Sequence, residues 1–159
     1  MAFTNNSSMI GADLNNASDT AQFALMTRTN ASQDTLFVYV QANGAISAGD
    51  VVSVNTGGTA TRATPTSVYI ETNETAFAQN AFTDGQYGWV ARNGLGLTIS
   101  VSATVSASTT LYLATTSGKL SDVASSCTLV GVGIVGVSTT ATTTTTTGSL
   151  TWPRFLGGS

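Results

Sequence analysis

Tyr87-Gly88-Trp89-Val90-Ala91-Arg92-Asn93-Gly94-Leu95-Gly96-Leu97-Thr98-Ile99-Ser100-Val101-Ser102-Ala103-Thr104-Val105-Ser106 is the stretch that decides the fold. Beyond Gly94 it alternates. Leu95, Leu97, Ile99, Val101, Ala103 and Val105 fall on one side of an extended backbone, and Gly96, Thr98, Ser100, Ser102, Thr104 and Ser106 on the other. Successive side chains of a strand point to opposite faces, so this is a strand with one apolar face and one hydroxyl face. Asn93-Gly94, between two strand-like runs, predicts a two-residue hairpin, because both residues tolerate the positive φ of a type I′ turn.

The same grammar extends in both directions. Thr35-Leu36-Phe37-Val38-Tyr39-Val40 is β-branched and aromatic and is closed by Asn43-Gly44. Ala48-Gly49-Asp50 turns into Val51-Val52-Ser53-Val54, which Asn55-Thr56-Gly57-Gly58 ends. Ser67-Val68-Tyr69-Ile70-Glu71 reads as a strand just after Pro65, where a missing N–H does least harm. Thr110-Leu111-Tyr112-Leu113-Ala114 turns through Ser117-Gly118-Lys119, and the run Leu129 to Val137 reads as a strand buried on both faces. Thr142 to Thr147 suits a strand or a long hairpin arm, since Thr favours the pleated conformation. Short strands, polar turns and no amphipathic helical period predict an all-β fold, a small β-barrel or β-sandwich.

Both ends read differently. Residues 1–34 carry spaced apolar side chains (Phe3, Met9, Ile10, Leu14, Phe23) among Asn, Ser, Thr and Ala, without sustained period. A frayed terminus is the plain reading; the sharper one is an extended N-terminal arm that docks on a neighbouring subunit, with residues 35–159 as the β-domain. Trp152-Pro153-Arg154-Phe155-Leu156 places two aromatics around a proline, which suits a C-terminal docking tail or a last edge strand. On this reading, deleting 1–20 or 150–159 leaves the fold intact.

Composition narrows the function. Only 8% of residues are charged, against about 25% in typical globular chains, so the polar surface is built from hydroxyls and amides. Neutral groups lose less solvation than ions when covered by a partner. With 42% hydrophobic residues the chain has the material for a core. The five basic residues (Arg28, Arg62, Arg92, Lys119, Arg154) are scattered and outnumbered by eight acids, which argues against a nucleic-acid partner. No apolar run approaches the length of a membrane span, and the N-terminus has no secretory pattern, so neither a membrane nor secretion is expected.

The chain contains no histidine and a single cysteine, Cys127. That removes Ser-His-Asp and Cys-His catalysis, His-based and Cys₄ zinc sites, and an intrachain disulfide. Neither a phosphate loop nor a calcium loop is present, so no metal and no cofactor is expected. Glu71 and Glu74 form the one carboxylate pair near enough in sequence for acid–base work, as in a glycosidase; two solvated charges in a loop is the simpler account. The expectation is a chain that is not an enzyme. Tyr87, Trp89, Tyr112 and Trp152 suit core or interface packing better than a sugar platform.

Several segments, in order, resemble the head-decoration (cement) proteins of tailed bacteriophages. They are Ala21-Gln22-Phe23-Ala24-Leu25, Tyr39-Val40-Gln41-Ala42-Asn43-Gly44, Gly49-Asp50-Val51-Val52, Gly88-Trp89-Val90 with Asn93-Gly94, Leu111-Tyr112-Leu113, Gly118-Lys119-Leu120 and Val130-Gly131-Val132-Gly133. The resemblance covers most of residues 21–137. The Thr142–Thr147 tract and the Trp152–Phe155 segment lie outside it, which leaves the mode of attachment open. It implies a structural virion protein, made in the host cytoplasm, that sits on the outer surface of an icosahedral capsid as a homotrimer. There it bridges major capsid protein subunits and stabilises the shell. Phe3, Met9, Ile10, Leu14, Phe23, Trp152, Pro153, Arg154, Phe155 and Leu156 are the candidate capsid or subunit contacts. The alternative is a head-fibre or tail-fibre module that binds host glycans through Trp89 or Trp152.

Overall fold

The computed structural model describes residues 11–32, 34–65, 73–102, 105, 111–123, 127–134 and 145–157, with backbone alone for 127–134 and 149–157. Ten strands account for the regular structure: β1 (Arg28–Ala31), β2 (Thr35–Ala42), β3 (Val51–Val54), β4 (Thr59–Arg62), β5 (Glu74–Ala78), β6 (Tyr87–Ser100), β7 (Leu111–Leu113), β8 (Leu120–Ser121), β9 (Cys127–Ile134) and β10 (Thr145–Gly157). No helix occurs among the described residues. Strands β2, β4, β3, β5 and β6 close into a five-stranded barrel, with β2 parallel to β4 and every other contact antiparallel.

β2, β3, β5 and β6 bury side chains on both faces and β4 on one, and the pleat sorts them into two cores. Val38, Val40 and Ala42 from β2, Val52 and Val54 from β3, Ala60 from β4, Ala76 and Ala78 from β5 and Val90 from β6 fill the interior, with Ile46 and Phe82 packed at one end. A barrel of five strands has room only for small side chains, and the sequence supplies valine and alanine there. The alternate residues point outward: Phe37, Tyr39, Val51, Phe77, Trp89 and Ala91. This second core is larger in its side chains and is covered by the rest of the chain.

Two elements cover it. The first is an extended sheet in which the far half of β6 pairs with β10, β10 with β9, β9 with β7 and β7 with β8. A bridge between Val101 and Leu120 brings β8 back to the end of β6. Leu97, Ile99, Val101, Leu111, Leu113 and Leu120 from this sheet join the outer core. The second is the segment from Ala12 to Ala31, which contributes Leu14, Phe23, Leu25 and Ala31 to the same core.

The structure corrects the sequence reading at several points. Asn93-Gly94 is not a hairpin turn: β6 runs unbroken from Tyr87 to Ser100. Its first half pairs with β2, its second with β10, and both bury apolar side chains in the outer core, so nothing requires the chain to reverse. The signal marks a bend instead. The β2–β6 register slips beside Arg92, and the Leu36 N–H donates to Asn93 Oδ1 at 3.0 Å. Gly94 has φ 150°, and a Cβ there would lie 2.4 Å from Thr35 Oγ1, so no larger residue fits. The bend also resets the faces: Leu95, expected inward, is 53% exposed, whereas Leu97, Ile99 and Val101 keep the expected side.

The division at residue 34 does not separate an arm from a domain. Leu14 is 1% exposed, the Ser18 and Tyr87 backbones exchange two hydrogen bonds of 2.8 Å, and β1 pairs with β2 along its length. The apolar residues of this segment lack a period because they do not belong to one long strand; they cap a core at intervals. At the other end Thr145–Gly157 is one strand: up to Leu150 it pairs with β6, and from Arg154 to Gly157 it pairs with β9 alone, as the edge-strand reading of this segment expects. Pro153 falls within the register shift between Leu150 and Arg154, where a residue without an N–H is tolerated. The predicted strand at Ser67–Glu71 lies outside the described residues, as do residues 135–137 of the predicted Val-Gly run.

Candidate functional site

Two features concentrate polar chemistry on the described surface. The first lies at the end of β3. Glu74, opposite Val54 in register, holds two arginines: Arg28 Nη2 stands 2.9 Å from Glu74 Oε1, and Arg92 Nη1 pairs with Glu74 Oε2. Glu74 is therefore not a solvated loop charge but a strand residue clamped between two guanidinium groups. Burial, and then the charge of Arg28, pull the Arg92 pKa below its ordinary value; an arginine still carries its proton at any working pH. At the start of β3, Arg62 Nε lies 3.1 Å from Asp50 Oδ2, whose side chain is buried and also accepts from the Ser47 N–H at 2.9 Å. Three of the chain's arginines, scattered in sequence, are thus committed to two barrel acids, the buried Asp50 and the part-buried Glu74.

The second feature is a cavity of about 190 Å³ between the barrel's outer face and the N-terminal segment. Tyr39, Tyr87, Gly88 and Trp89 form its floor; Asp13, Asn16, Ala17, Ser18 and Gln22 form its wall. The floor is an aromatic cluster. Phe23 meets Tyr39 edge-on at 5.4 Å and Trp89 at 5.3 Å, while Tyr39 and Tyr87 lie nearly parallel at 6.4 Å. The wall is fastened by polar contacts. Asn80 Nδ2 donates to the Leu14 carbonyl at 2.8 Å, Gln86 Nε2 to Asp19 Oδ1 at 2.8 Å, and the Gln22 N–H to the Tyr39 hydroxyl oxygen at 3.0 Å. Asp13 Oδ2 accepts from Asn16 Nδ2 at 2.8 Å and Oδ1 from the Asn15 N–H at 3.0 Å. The Asn16 bond first, and the Asn15 bond second, hold the Asp13 carboxyl below its ordinary value, so it is ionised at neutral pH.

The structure separates the candidate contact residues. Leu14 belongs to this chain's own core and Phe23 packs against it, so neither is a free anchor for a neighbour. Phe3, Met9 and Ile10 lie outside the described residues. Trp152, Pro153, Arg154, Phe155 and Leu156 are in β10, and the backbone of Arg154, Phe155 and Leu156 pairs with Val130, Leu129 and Thr128. Glu71 also lies outside the described residues, so no carboxylate pair with Glu74 is defined. Trp89 is 1% exposed and offers no open face to a sugar, as the packing interpretation of the aromatics expected. Among the described residues no three His, Cys, Asp or Glu side chains converge as metal ligands.

Neither the Arg28–Glu74–Arg92 cluster nor the cavity was legible in the sequence. Each joins segments far apart in the chain, and only the strand register brings them together. The single local sign was Asp13-Leu14-Asn15-Asn16, whose Asp and Asn side chains suit a turn closed on its own backbone. No family model, curated protein or solved structure matches the chain.

Proposed function

We propose that this chain is a capsid decoration protein of a tailed bacteriophage: a structural virion protein that binds the outside of the icosahedral shell and bridges major capsid protein subunits. One observation carries most of the weight. The segments that resemble cement proteins fall on consecutive parts of one framework: Tyr39 and Val40 in β2, Val51 and Val52 in β3, Gly88-Trp89-Val90 in β6, Leu111–Leu113 as β7, Leu120 in β8 and Val130 to Gly133 in β9. Two of them, distant in sequence, meet. The Val51 N–H donates to the Gly118 carbonyl at 2.8 Å, and the Gly118 N–H donates to the Ala63 carbonyl at 2.9 Å. Gly118 has φ 77°, and a Cβ there would lie 3.0 Å from Asp50 Cγ. The Gly-Asp-Val-Val and Gly-Lys-Leu motifs are thus two halves of one junction between barrel and outer sheet.

The surface supports the same reading. Most exposed residues among those described are Asn, Ser, Thr, Ala, Gly or Gln, which a partner covers at small desolvation cost. Many copies with modest individual interfaces hold a shell strongly when subunits bind as linked units, which a homotrimer provides. The test is composition. Mass spectrometry of purified particles of the encoding virus should find this chain in copy numbers comparable to the major capsid protein, and trace amounts would defeat the proposal. Light scattering of the purified chain reads the trimer directly.

A further inference from the structure

The cavity above Tyr87 is lined by an acidic side chain and by no basic one. The exposed charged residues among those described are Asp13, Asp19, Asp34, Asp84 and Arg28. Arg28 is held by Glu74 on the barrel, and Arg62 and Arg92 are likewise paired there. One of the four exposed acids lines the cavity, and two others are sequence neighbours of its lining. Asp13 lines it, Asp19 adjoins the lining residue Ser18 and is tied to Gln86, and Asp84 lies on the turn that leads into Tyr87, where it accepts from the Gly44 N–H at 2.7 Å. All three accept hydrogen bonds from neutral donors, and no described cation pairs with them. Among the described side chains no ion pair neutralises these carboxylates, while Arg28, Arg62 and Arg92 pair elsewhere.

The lining adds a second, independent observation. The wall presents the Asp13 carboxylate, which accepts from the Asn15 N–H, from Asn16 Nδ2 and from the Asn16 N–H and has room for about one bond more, since a carboxylate takes about four. The floor presents the half-buried Tyr87 ring, whose face carries the negative side of the aromatic quadrupole, over the buried Tyr39 and Trp89. Carboxylate, aromatic rings and amide oxygens together, with no basic group in the lining, suit a cation. A volume of about 190 Å³ is below the range of drug-sized pockets and matches the end of one long side chain.

We infer that this cavity is a socket for an arginine or lysine side chain of a partner protein, which enters between Asp13 and the Tyr87 ring. Under the proposed function the partner is a shell subunit, and the inference rests on that reading for the partner's identity, though not for the chemistry. One seated cation would act as a central anchor in an otherwise neutral interface, where a few buried contacts carry most of the binding. It would also confer salt dependence on attachment, because the compensating charges lie near the surface.

The experiment uses the full chain and a blocked amino acid, N-acetyl-arginine amide, whose only charge is the guanidinium. Backbone and indole NMR shifts at Ser18, Gly88 and Trp89 should move saturably, in the millimolar range expected for a single small contact, roughly 4 kcal/mol of binding free energy. Asp13→Asn, which keeps the shape and the acceptor oxygen, should weaken the probe about tenfold, and Tyr87→Leu should weaken it while leaving the Ser18 backbone bridge. The neutral N-acetyl-glutamine amide should bind far less well. Absence of saturable shifts, equal binding by the neutral amide, an unchanged affinity in Asp13→Asn, or preferential binding of methyl glucoside would each overturn the socket. A virion lacking the chain would defeat the shell proposal and leave probe binding intact, so the two failures are distinguishable.

Discussion

The barrel interior and the core on its outer face are built from the same five strands, yet they use different residues. Inside, every side chain contributed by the strands is valine or alanine. Outside, the same strands project Phe37, Tyr39, Phe77 and Trp89. A ring of five strands closes tightly, so its interior cannot exceed small volumes, whereas the outer face expands until a second layer covers it. The interior therefore sets the geometry of closure, and the outer core supplies most of the apolar area. What holds this protein together is the fastening of its covering layers, the N-terminal segment and the sheet centred on β10, rather than the barrel alone.

The largest expected effect follows from that fastening. Deleting residues 150–159 removes most of the pairing between β10 and β9, so that β9 keeps only its contacts at Gly148 and Ser149 to the stub of β10 still paired with β6. The outer core would then lose its cover, and the truncated chain should show no cooperative thermal transition by circular dichroism. A truncated chain that melts sharply near the full-length temperature would mean that the barrel is self-sufficient and the contrast drawn above is wrong. Next is Trp89→Ala, in the centre of the aromatic cluster and 1% exposed. Removing so large a side chain from a packed site should cost about 3–5 kcal/mol in urea unfolding. The interior calls for the opposite perturbation. Ala76 is fully buried across from Val52, and Ala76→Leu should cost about 1–3 kcal/mol through overpacking. A neutral or stabilising result would show unused space inside the ring.

This contrast also explains which features were readable in advance. Period-two alternation identifies a strand whose two faces differ, and it located the apolar side of Leu97, Ile99 and Val101 correctly. β3 and the turn after it were legible because Asn55 does what its position suggests: its Oδ1 accepts from the N–H groups of Gly57 and Thr59 at 2.9 and 3.0 Å. β4 and β5, Thr-Ala-Thr-Arg and Glu-Thr-Ala-Phe-Ala, were missed because barrel-interior alanines and a charged residue dilute the strand signal. Asn93-Gly94 misled because the same local conformation serves a turn or a bend, and only the partners available to each half decide between them. The polar site could not be read at all. Arg28, Glu74 and Arg92 acquire their relationship from register, and Asp13 faces Tyr87 only because the covering segment pairs at Ser18.

The charges test how each core ends. Glu74→Gln leaves Arg28 and Arg92 facing each other at the barrel end without a countercharge. Breaking a fully buried pair costs several kcal/mol, but Arg28 is about half exposed, so the loss after solvent screening should be about 1–2 kcal/mol. The double change Glu74→Gln with Arg28→Gln should recover part of it, because the like-charge contact is gone. Full additivity of the two losses would show that the arginines do not sense each other.

The smallest effect belongs to Asp13, on the cover of the outer core. Its carboxyl titrates below its ordinary value because the ionised form accepts from Asn16 and Asn15. A depressed folded-state pKa means that the folded chain binds fewer protons than the unfolded chain in the acidic window. The resulting stability is present in full above the ordinary carboxylate value and disappears as pH falls through the depressed one. Asp13 is largely solvated, so the contribution should be under about 0.5 kcal/mol. Asp13→Asn should therefore flatten the acid limb of the stability curve slightly and change nothing at neutral pH beyond that amount. A loss at neutral pH as large as that of Trp89→Ala would place Asp13 among the groups that fasten the cover, whereas the polar contacts at Asn80, Ser18 and Gln86 assign that role to its neighbours.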